Sequence, residues 1–367
     1  MGGAVENLER EFAAWLGVPC AVAAGFGRSA LALAVEAGIS PGSDVLVPDF
    51  ICAQVPEAVR RGGCRPVFYS VRRDLETRAE DLQAARTPDT RAAIVVHYFG
   101  RAQPRISELA GWCRESGVML IEDCALALGA RAGNRWTGSL GDLSVFSFSK
   151  SNWCYGGGLV AMQSKDILAR AAAVRAQKFR AHAGLAFRYG LLRRADFAAN
   201  RPRWCRTAER AGRWFQALVG MDSDENFYDA GQFDAAMTEP GARRASHILR
   251  SLPTATRRRS EILMELHKAL ARTGHWLARL HEPGDSGAYL LLECPPGKAA
   301  DWVARADRAG VTLRRCWPAH QGVEPGQSSG EVAWLADCLL ILELHDALSR
   351  REIERIGATL VSLSERQ

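Results

Sequence analysis

The chain has 367 residues, of which 47% are hydrophobic and 24% charged, and its formal net charge is +6. This length and composition predict a two-domain globular protein, and the modest charge does not indicate nucleic-acid binding. No apolar run approaches the roughly 18 residues of a membrane span, and the N-terminus shows no apolar targeting segment. We therefore expect a cytoplasmic protein without a membrane span.

Strands and helices alternate through the first half of the chain. Periodicity predicts a helix at 7–16, a strand at 20–24 and, after a Gly-x-Gly turn, a helix that ends near Gly38. Six further strands are predicted at 45–48, 66–70, 93–97, 118–122, 143–148 and 159–162. Helices between and after them are predicted at 52–61, 106–115 and 165–178. This alternation indicates a mostly parallel sheet covered by helices on both faces.

The pattern changes in the second half. Residues 179–216 are rich in arginine and aromatic residues, which suits either a basic patch for an anionic ligand or membrane surface, or packing onto the main body. We favour packing because the aromatic residues recur at helical spacing. A long helix is predicted at 254–273, and an α+β pattern follows from residue 288. We therefore expect a large domain at 1–240 and a small domain at 241–367.

Ten cysteines are scattered through the chain without CxxC pairs or zinc-ligand spacing. Several fall in predicted strands or on apolar helix faces. Reduced core thiols are the interpretation that we favour, and no metal site is expected.

Lysine is scarce, since only five of the 47 lysine and arginine residues are lysines. Lys150 lies at the end of the strand 143–148 and shortly before a run of three glycines at 156–158, where backbone can approach a ligand closely. Unlike arginine, a lysine can lose its proton and attack a carbonyl. The other four lysines suit solvated positions, so Lys150 is the candidate for covalent chemistry.

Two further features share this edge of the predicted sheet. Asp123 follows the strand 118–122, where an acid caps a helix or meets a ligand. Residues 25–30 (GFGRSA) lie between a strand and a helix. Their glycines and helix N-terminal amides suit a phosphate, and Arg28 and Ser29 add donors.

The segment 25–30 also fits the G-x-G-x-x-A fingerprint of dinucleotide binding, and Asp49 lies about twenty residues further on. An NAD-dependent oxidoreductase is therefore one alternative, but it gives Lys150 and Asp123 no role. Pyridoxal 5'-phosphate (PLP) uses all three features: a lysine, an acid for its ring nitrogen and a helix N-terminus for its phosphate.

Several stretches together resemble the DegT/DnrJ/StrS family of PLP-dependent sugar aminotransferases, which have the type I aspartate-aminotransferase-like fold. They include GRSALALAVEAGISPGSDVLVPDF, VMLIEDCALALGA, GSLGDLSVFSFSK and GGGLVAM, and later RRCWPAH and LELHDALS. The resemblance implies a three-layer, mostly parallel α/β large domain and a smaller α+β C-terminal domain. It also implies transfer of an amino group, from a donor such as glutamate, to a keto sugar that is often nucleotide-linked. A homodimer with sites at the interface, approached by residues 226–244, is implied as well.

The resemblance assigns site residues. Lys150 would be the Schiff-base lysine, and Asp123 the partner of the pyridine nitrogen. Further cofactor-binding residues would be Gly27, Arg28, Ser29, Phe50, Cys52, Leu126 and Ser147. Candidate substrate-pocket residues, for which core packing is the alternative, are His97, Tyr98, Trp153 and Tyr155.

Three positions depart from the family's pattern. Many relatives place the lysine two residues later, where this chain has Asn152, but Asn152 cannot form an imine and counting back from the glycines puts Lys150 in register. Leu126 stands where Gln or His is usual. Cys52 stands where an aromatic residue often stacks on the cofactor, and Phe50 lies two residues away. A PLP-dependent dehydratase or other eliminating enzyme therefore remains an alternative.

Overall fold

The computed structural model describes residues 3–150, 154, 156–181, 233–271, 282–317 and 330–364. A central sheet of seven strands has the order β1-β9-β8-β5-β4-β2-β3. Its strands are β1 (Cys20–Ala24), β2 (Asp44–Pro48), β3 (Arg65–Tyr69), β4 (Thr90–Val96), β5 (Met119–Asp123), β8 (Leu143–Ser147) and β9 (Gly158–Met162). A small hairpin pairs β6 (Arg131–Ala132) with β7 (Arg135–Trp136). β9 runs opposite to the other six strands, which are parallel to one another, so the prediction of a mostly parallel sheet is confirmed.

Helices cover both faces of this sheet. They are α1 (Ala4–Leu16), α2 (Gly27–Gly38), α3 (Gln54–Arg61), α4 (Ala79–Ala85), α5 (Ile106–Ser116) and α6 (Lys165–Lys178). Alternate residues of a strand point to opposite faces. Along β1, Val22 packs in the core that contains α2, whereas Ala21 and Ala23 pack in the core that contains α1. The expected three-layer arrangement is confirmed.

A second, smaller sheet forms in the C-terminal part. Its antiparallel strands, in the order β10-β12-β11, are β10 (Tyr289–Glu293), β11 (Arg314–Arg315) and β12 (Leu339–Glu343). The helices here are α8 (Ala299–Arg308), α9 (Gly330–Cys338) and α10 (Arg350–Ser364). Leu290, Trp302 and Leu360 share the buried core of this unit. The smaller α+β unit is therefore confirmed.

The helix α7 (Glu239–Leu270) is much longer than the predicted helix at 254–273. Its N-cap is Thr238, whose hydroxyl accepts the N–H of Gly241 at 3.2 Å. Pro253 lies inside α7, so the predicted start at residue 254 is wrong. The helix face that precedes Pro253, which includes Leu249, is buried against α1. This burial stabilises the helix despite the proline. The two halves of α7 pack in the cores of the large and small sheets respectively, and the boundary near residue 240 stays a prediction.

Of the arginine- and aromatic-rich segment 179–216, residues 182–216 lie outside the described ranges. The nine cysteines within those ranges are free thiols, and only Cys52 is partly exposed. No described helix is long and apolar enough to cross a membrane.

Candidate active site

Lys150 and Asp123 line one pocket at the carboxyl edge of the large sheet. Asp123 is the last residue of β5, and Lys150 follows the end of β8 by three residues. The two strands are parallel neighbours, with Asp123 in register with Val145. The pocket is lined by Phe26, Gly27, Arg28, Leu31, Ile51, Cys52, Gln54, Val55, Val96, Asp123, Leu126, Val145, Ser147, Ser149, Lys150 and Trp317.

The Asp123 carboxyl is 7% exposed, and its Oδ1 accepts the N–H of Ala125 at 2.9 Å. Burial raises the pKa of Asp123, while the Ala125 hydrogen bond and the positive charge of Lys150 oppose the rise. A cationic group in the pocket would hold the ionised form, because an opposite charge at short range favours it. The protonated ring nitrogen of PLP is such a group.

The half-buried Lys150 follows a short polar turn. Within that turn the hydroxyls of Ser147 and Ser149 lie 3.0 Å apart in a hydrogen bond, and both residues line the pocket. The positive charge of Lys150 also lowers the pKa of the Cys316 thiol, although burial, the larger effect, raises it. Lys150 lines the same pocket as Trp317, the residue after Cys316.

The helix α2 begins at the pocket without a side-chain cap. Its N-cap residue, Phe26, forms no side-chain cap hydrogen bond. Gly27 lines the pocket, and a Cβ there would lie 3.1 Å from the Cβ of Ser147. Arg28 also lines the pocket, whereas the Ser29 side chain is buried. First-turn amides without such a cap, beside an arginine, suit a phosphate group.

The glycine run packs against the start of α2 rather than lining the pocket. Gly156 and Gly157 have φ values of +79° and +112°, which favour glycine. The N–H of Gly157 donates to the carbonyl of Gly25 at 2.5 Å, and a Cβ at Gly158 would overlap the carbonyl oxygen of Phe26. These glycines therefore hold residues 25–27 in position, and they do not line the pocket as was expected.

Four other predicted positions have distinct surroundings. Cys52 and Leu126 line the pocket, and their contact with a cofactor stays a prediction. Phe50 is buried outside its lining, with its ring 5.1 Å from that of Trp317. The buried Tyr98 donates its hydroxyl to the Phe50 carbonyl at 2.8 Å. Cofactor contact by Phe50 and substrate contact by Tyr98 remain predictions.

His97 lies in the core beside Glu122. Its Nε2 is 2.8 Å from Oε2 of Glu122, and its Nδ1 accepts the N–H of Gln103 at 3.0 Å. This pattern assigns the proton to Nε2. Glu122 also accepts N–H groups of Gly138 and Gly141. Burial favours a higher pKa for Glu122, but the His97 hydrogen bond and these amides outweigh it and lower the pKa. The position of His97 agrees with the core-packing alternative.

Trp153 and Tyr155, the other substrate candidates, lie outside the described residues, as does Asn152. Nine of the lining residues were not predicted, among them Trp317 and Gln54. Trp317, from the C-terminal part of the chain, stacks on Phe99 at 5.5 Å between ring centroids. It belongs to the stretch RRCWPAH, whose resemblance was the available signal. Gln54 also lines the pocket, and its buried Oε1 has no hydrogen-bond partner among the described residues.

The sequence is similar to that of known aminotransferases. A family model described as the DegT/DnrJ/EryC1/StrS aminotransferase family matches residues 1–190. The chain is 35% identical over 171 residues to a GDP-perosamine synthase from Vibrio cholerae, covering 46% of each protein. It is 36% identical over 152 residues to a dTDP-4-dehydro-2,3,6-trideoxy-D-glucose 4-aminotransferase from Saccharopolyspora spinosa, covering 40% of this chain and 39% of the relative. The chain thus spans less than half the length of these curated relatives.

A solved structure of similar fold is a GDP-4-keto-6-deoxymannose-3-dehydratase with a trapped PLP-glutamate geminal diamine. Its TM-score is 0.74 at 18% sequence identity, over 98% of this chain and 93% of that one. At this identity the likeness shows the fold alone. The family match covers more than half of the sequence, including Asp123 and Lys150. The chain belongs to the DegT/DnrJ/EryC1/StrS aminotransferase family.

Proposed function

We propose that this protein is a PLP-dependent aminotransferase. The observation that carries the proposal is the meeting of Lys150, Asp123 and the uncapped start of α2 in one pocket. A lysine, an acid and a phosphate-binding helix end are the groups that PLP requires. An NAD-dependent oxidoreductase would leave the lysine and the acid without a task.

Each group has a role that follows from its chemistry. Lys150 would hold the cofactor covalently, and Asp123 would keep its ring nitrogen protonated. The first amides of α2, with Arg28 and Ser147, would bind its phosphate. Bound PLP supplies an electron sink for negative charge that develops at the carbon of an amino donor.

Lys150 would also move a proton once the donor has displaced it. An ammonium with a pKa of about 10.4 is a poor base, so the amine must be neutral when it acts. Leu31, Ile51 and Val55 provide apolar walls to the same pocket. Such walls limit access of water to the proton that is being moved.

The substrates that we propose are an amino acid such as glutamate and a nucleotide-linked keto sugar. The support comes from the curated relatives, whose names describe a GDP-perosamine synthase and an aminotransferase for a dTDP-linked dehydro sugar. A cytoplasmic homodimer with its sites at the interface is part of the same proposal. Of the segment 226–244 implied to reach the partner's site, residues 233–244 are described. There the carbonyl of Ala235 accepts the N–H of Gly25 at 2.7 Å within one chain.

The test separates transamination from elimination. The purified protein, loaded with PLP, is mixed with single amino acids and its absorption spectrum is followed. An aminotransferase changes the cofactor's visible absorption with the donor alone, stalls, and resumes only when a keto sugar is added, with ping-pong kinetics. An eliminating enzyme completes turnover on one amino sugar and releases ammonia. That result would refute the aminotransferase proposal and leave the cofactor proposal standing.

A further inference from the structure

A second cavity lies apart from the Lys150 pocket and shares no lining residue with it. It is bounded by the hairpin β6–β7, the C-terminal half of α7 and residues 283–285. Its volume is about 700 Å³. This lies within the range of about 300–1,000 Å³ typical of small-molecule sites.

One face of α7 forms a wall of this cavity. Pro253, Arg257, Ser260, Met264 and Lys268 line it at intervals of three or four residues, the spacing of a single helix face. Within the part of the chain that the structure describes, neither Arg257 nor Lys268 has an acidic partner within 4.0 Å. The wall therefore presents two cationic groups that no described acid neutralises.

The opposite wall adds positive charge. The guanidinium carbon of Arg131 lies 3.6 Å from the centroid of the Trp136 ring. The acid in the lining, Asp285, is already engaged, since it accepts the N–H of Glu282 at 2.9 Å and lies 3.7 Å from Nε of Arg101. The cavity is therefore suited to an anion.

Thr256 points to the kind of ligand. It lines the cavity, and its buried Oγ1 has no hydrogen-bond partner in the described structure. Leaving such a group unsatisfied costs about 1–3 kcal/mol. A ligand oxygen that accepts a hydrogen bond from the Thr256 hydroxyl would remove this cost. A phosphate has several oxygens, which can accept from a hydroxyl and from cationic side chains at the same time.

We propose that this cavity is a binding site for a phosphorylated small molecule. Thr256 and Arg257 bind the phosphoryl oxygens, Lys268 donates to a polar group at the other end of the ligand, and Met264, which is 50% exposed, contacts the ligand's apolar part. Residues 257 and 268 lie about 16 Å apart along the helix axis, so a ligand that engages both is elongated. A nucleoside diphosphate has this shape, and inorganic pyrophosphate shares its chemistry.

Calorimetric titration of the PLP-loaded protein with pyrophosphate and with UDP tests the proposal. UDP also resembles part of the proposed substrate and could bind in the Lys150 pocket. The informative quantity is therefore the difference in affinity between the wild type and variants of cavity residues. We expect the double variant Arg257→Gln/Lys268→Gln to bind either ligand at this site about tenfold or more weakly. Arg258→Gln is the matched control, since Arg258 pairs with Glu261 at 3.2 Å, and it should bind as the wild type does. Unchanged affinity in the double variant would overturn the site.

Two single variants sharpen the result. Thr256→Val keeps the shape but removes the unpartnered hydroxyl, so the unliganded protein should melt at the same or a higher temperature while ligand affinity falls. Equal affinity in Thr256→Val would refute the role of the hydroxyl. Tighter binding of UDP than of pyrophosphate, with the difference reduced in Met264→Ser, identifies an organic phosphate. Equal binding of both identifies an inorganic one, and both outcomes support the anion site.

Discussion

Glu122 and Asp123 are consecutive residues of β5, yet the pKa values of their carboxyl groups shift in opposite directions. Their side chains point to opposite faces of the strand. On one face Glu122 receives hydrogen bonds from His97 and from backbone amides, which outweigh its burial. On the other face Asp123 lines the pocket with Lys150, and burial dominates. One acid is satisfied by the protein, and the other is available for a cationic ligand.

Asp123→Asn should separate activity from stability. We expect turnover to fall by two to three orders of magnitude, roughly the cost of losing one preorganised electrostatic group. The raised pKa means that Asp123 favours the folded state most below its unfolded pKa and that this contribution is lost as pH rises through the folded pKa. The cofactor-free variant should therefore be at least as stable as the wild type at pH 7. Steady-state kinetics and thermal unfolding measure the two effects, with the exposed Asp166→Asn as control. Near-normal turnover in Asp123→Asn would show that the Asp123 carboxylate has only a structural role.

Lys150→Ala should abolish the covalent attachment of the cofactor. No other lysine lines the pocket, so borohydride reduction of the wild type followed by peptide mapping should place the adduct on Lys150. In the variant no lysine adduct should form, and turnover should be lost. Lys165→Ala, on the exposed side of α6, is the matched control and should behave as the wild type. An adduct on any lysine other than Lys150 would contradict the assignment.

Glu122→Gln should destabilise the fold in a pH-dependent way. The lowered pKa of Glu122 contributes stability that is present above its unfolded pKa, about 4.3, and is lost as pH falls through the folded value. At pH 7 we expect a loss of about 2–4 kcal/mol, because buried partners lose a charged acceptor. Urea unfolding from pH 7 to pH 3 should show the difference from the wild type shrinking at acid pH. A difference that is constant over this range would argue against an ionised Glu122.

Gly158→Ala should weaken both stability and cofactor binding. The added Cβ would overlap the backbone carbonyl of Phe26, which cannot move aside as a flexible side chain could. We expect a loss of at least about 3 kcal/mol in the free energy of unfolding. Gly111→Ala is the matched control, since a Cβ there meets nothing within 4 Å inside α5, and it should gain about 0.5–1 kcal/mol. Urea unfolding that shows the two variants to be equally stable would contradict the packing role of Gly158.

The strand ends that carry the candidate site were predictable from the sequence. The runs that became β5 and β8 are apolar, and each is followed by polar residues, so the positions of Asp123 and Lys150 followed from periodicity. Parallel pairing then brings such strand ends to one edge of the sheet. Nothing beyond local pattern was needed for these two residues.

Contacts between distant segments could not be predicted in this way. Trp317 reaches the pocket from a position 167 residues after Lys150 in the sequence, and local pattern carries no information about that contact. The partner of the glycine run, the backbone at Gly25 and Phe26, also lies far away in the sequence. The start of α7 was missed because it depends on burial of the first half of the helix against α1, a contact between distant segments.

The position of Pro253 has a mechanical consequence. Because proline has no N–H, α7 lacks the backbone hydrogen bond that this residue would otherwise donate to the carbonyl of Leu249. Pro253 falls between the half of the helix that packs against α1 and the half that packs under the small sheet. Flexing the helix at this turn therefore breaks fewer hydrogen bonds than flexing it elsewhere. The helix α7 thus connects the two sheets, and the turn at which it bends most easily lines the basic cavity.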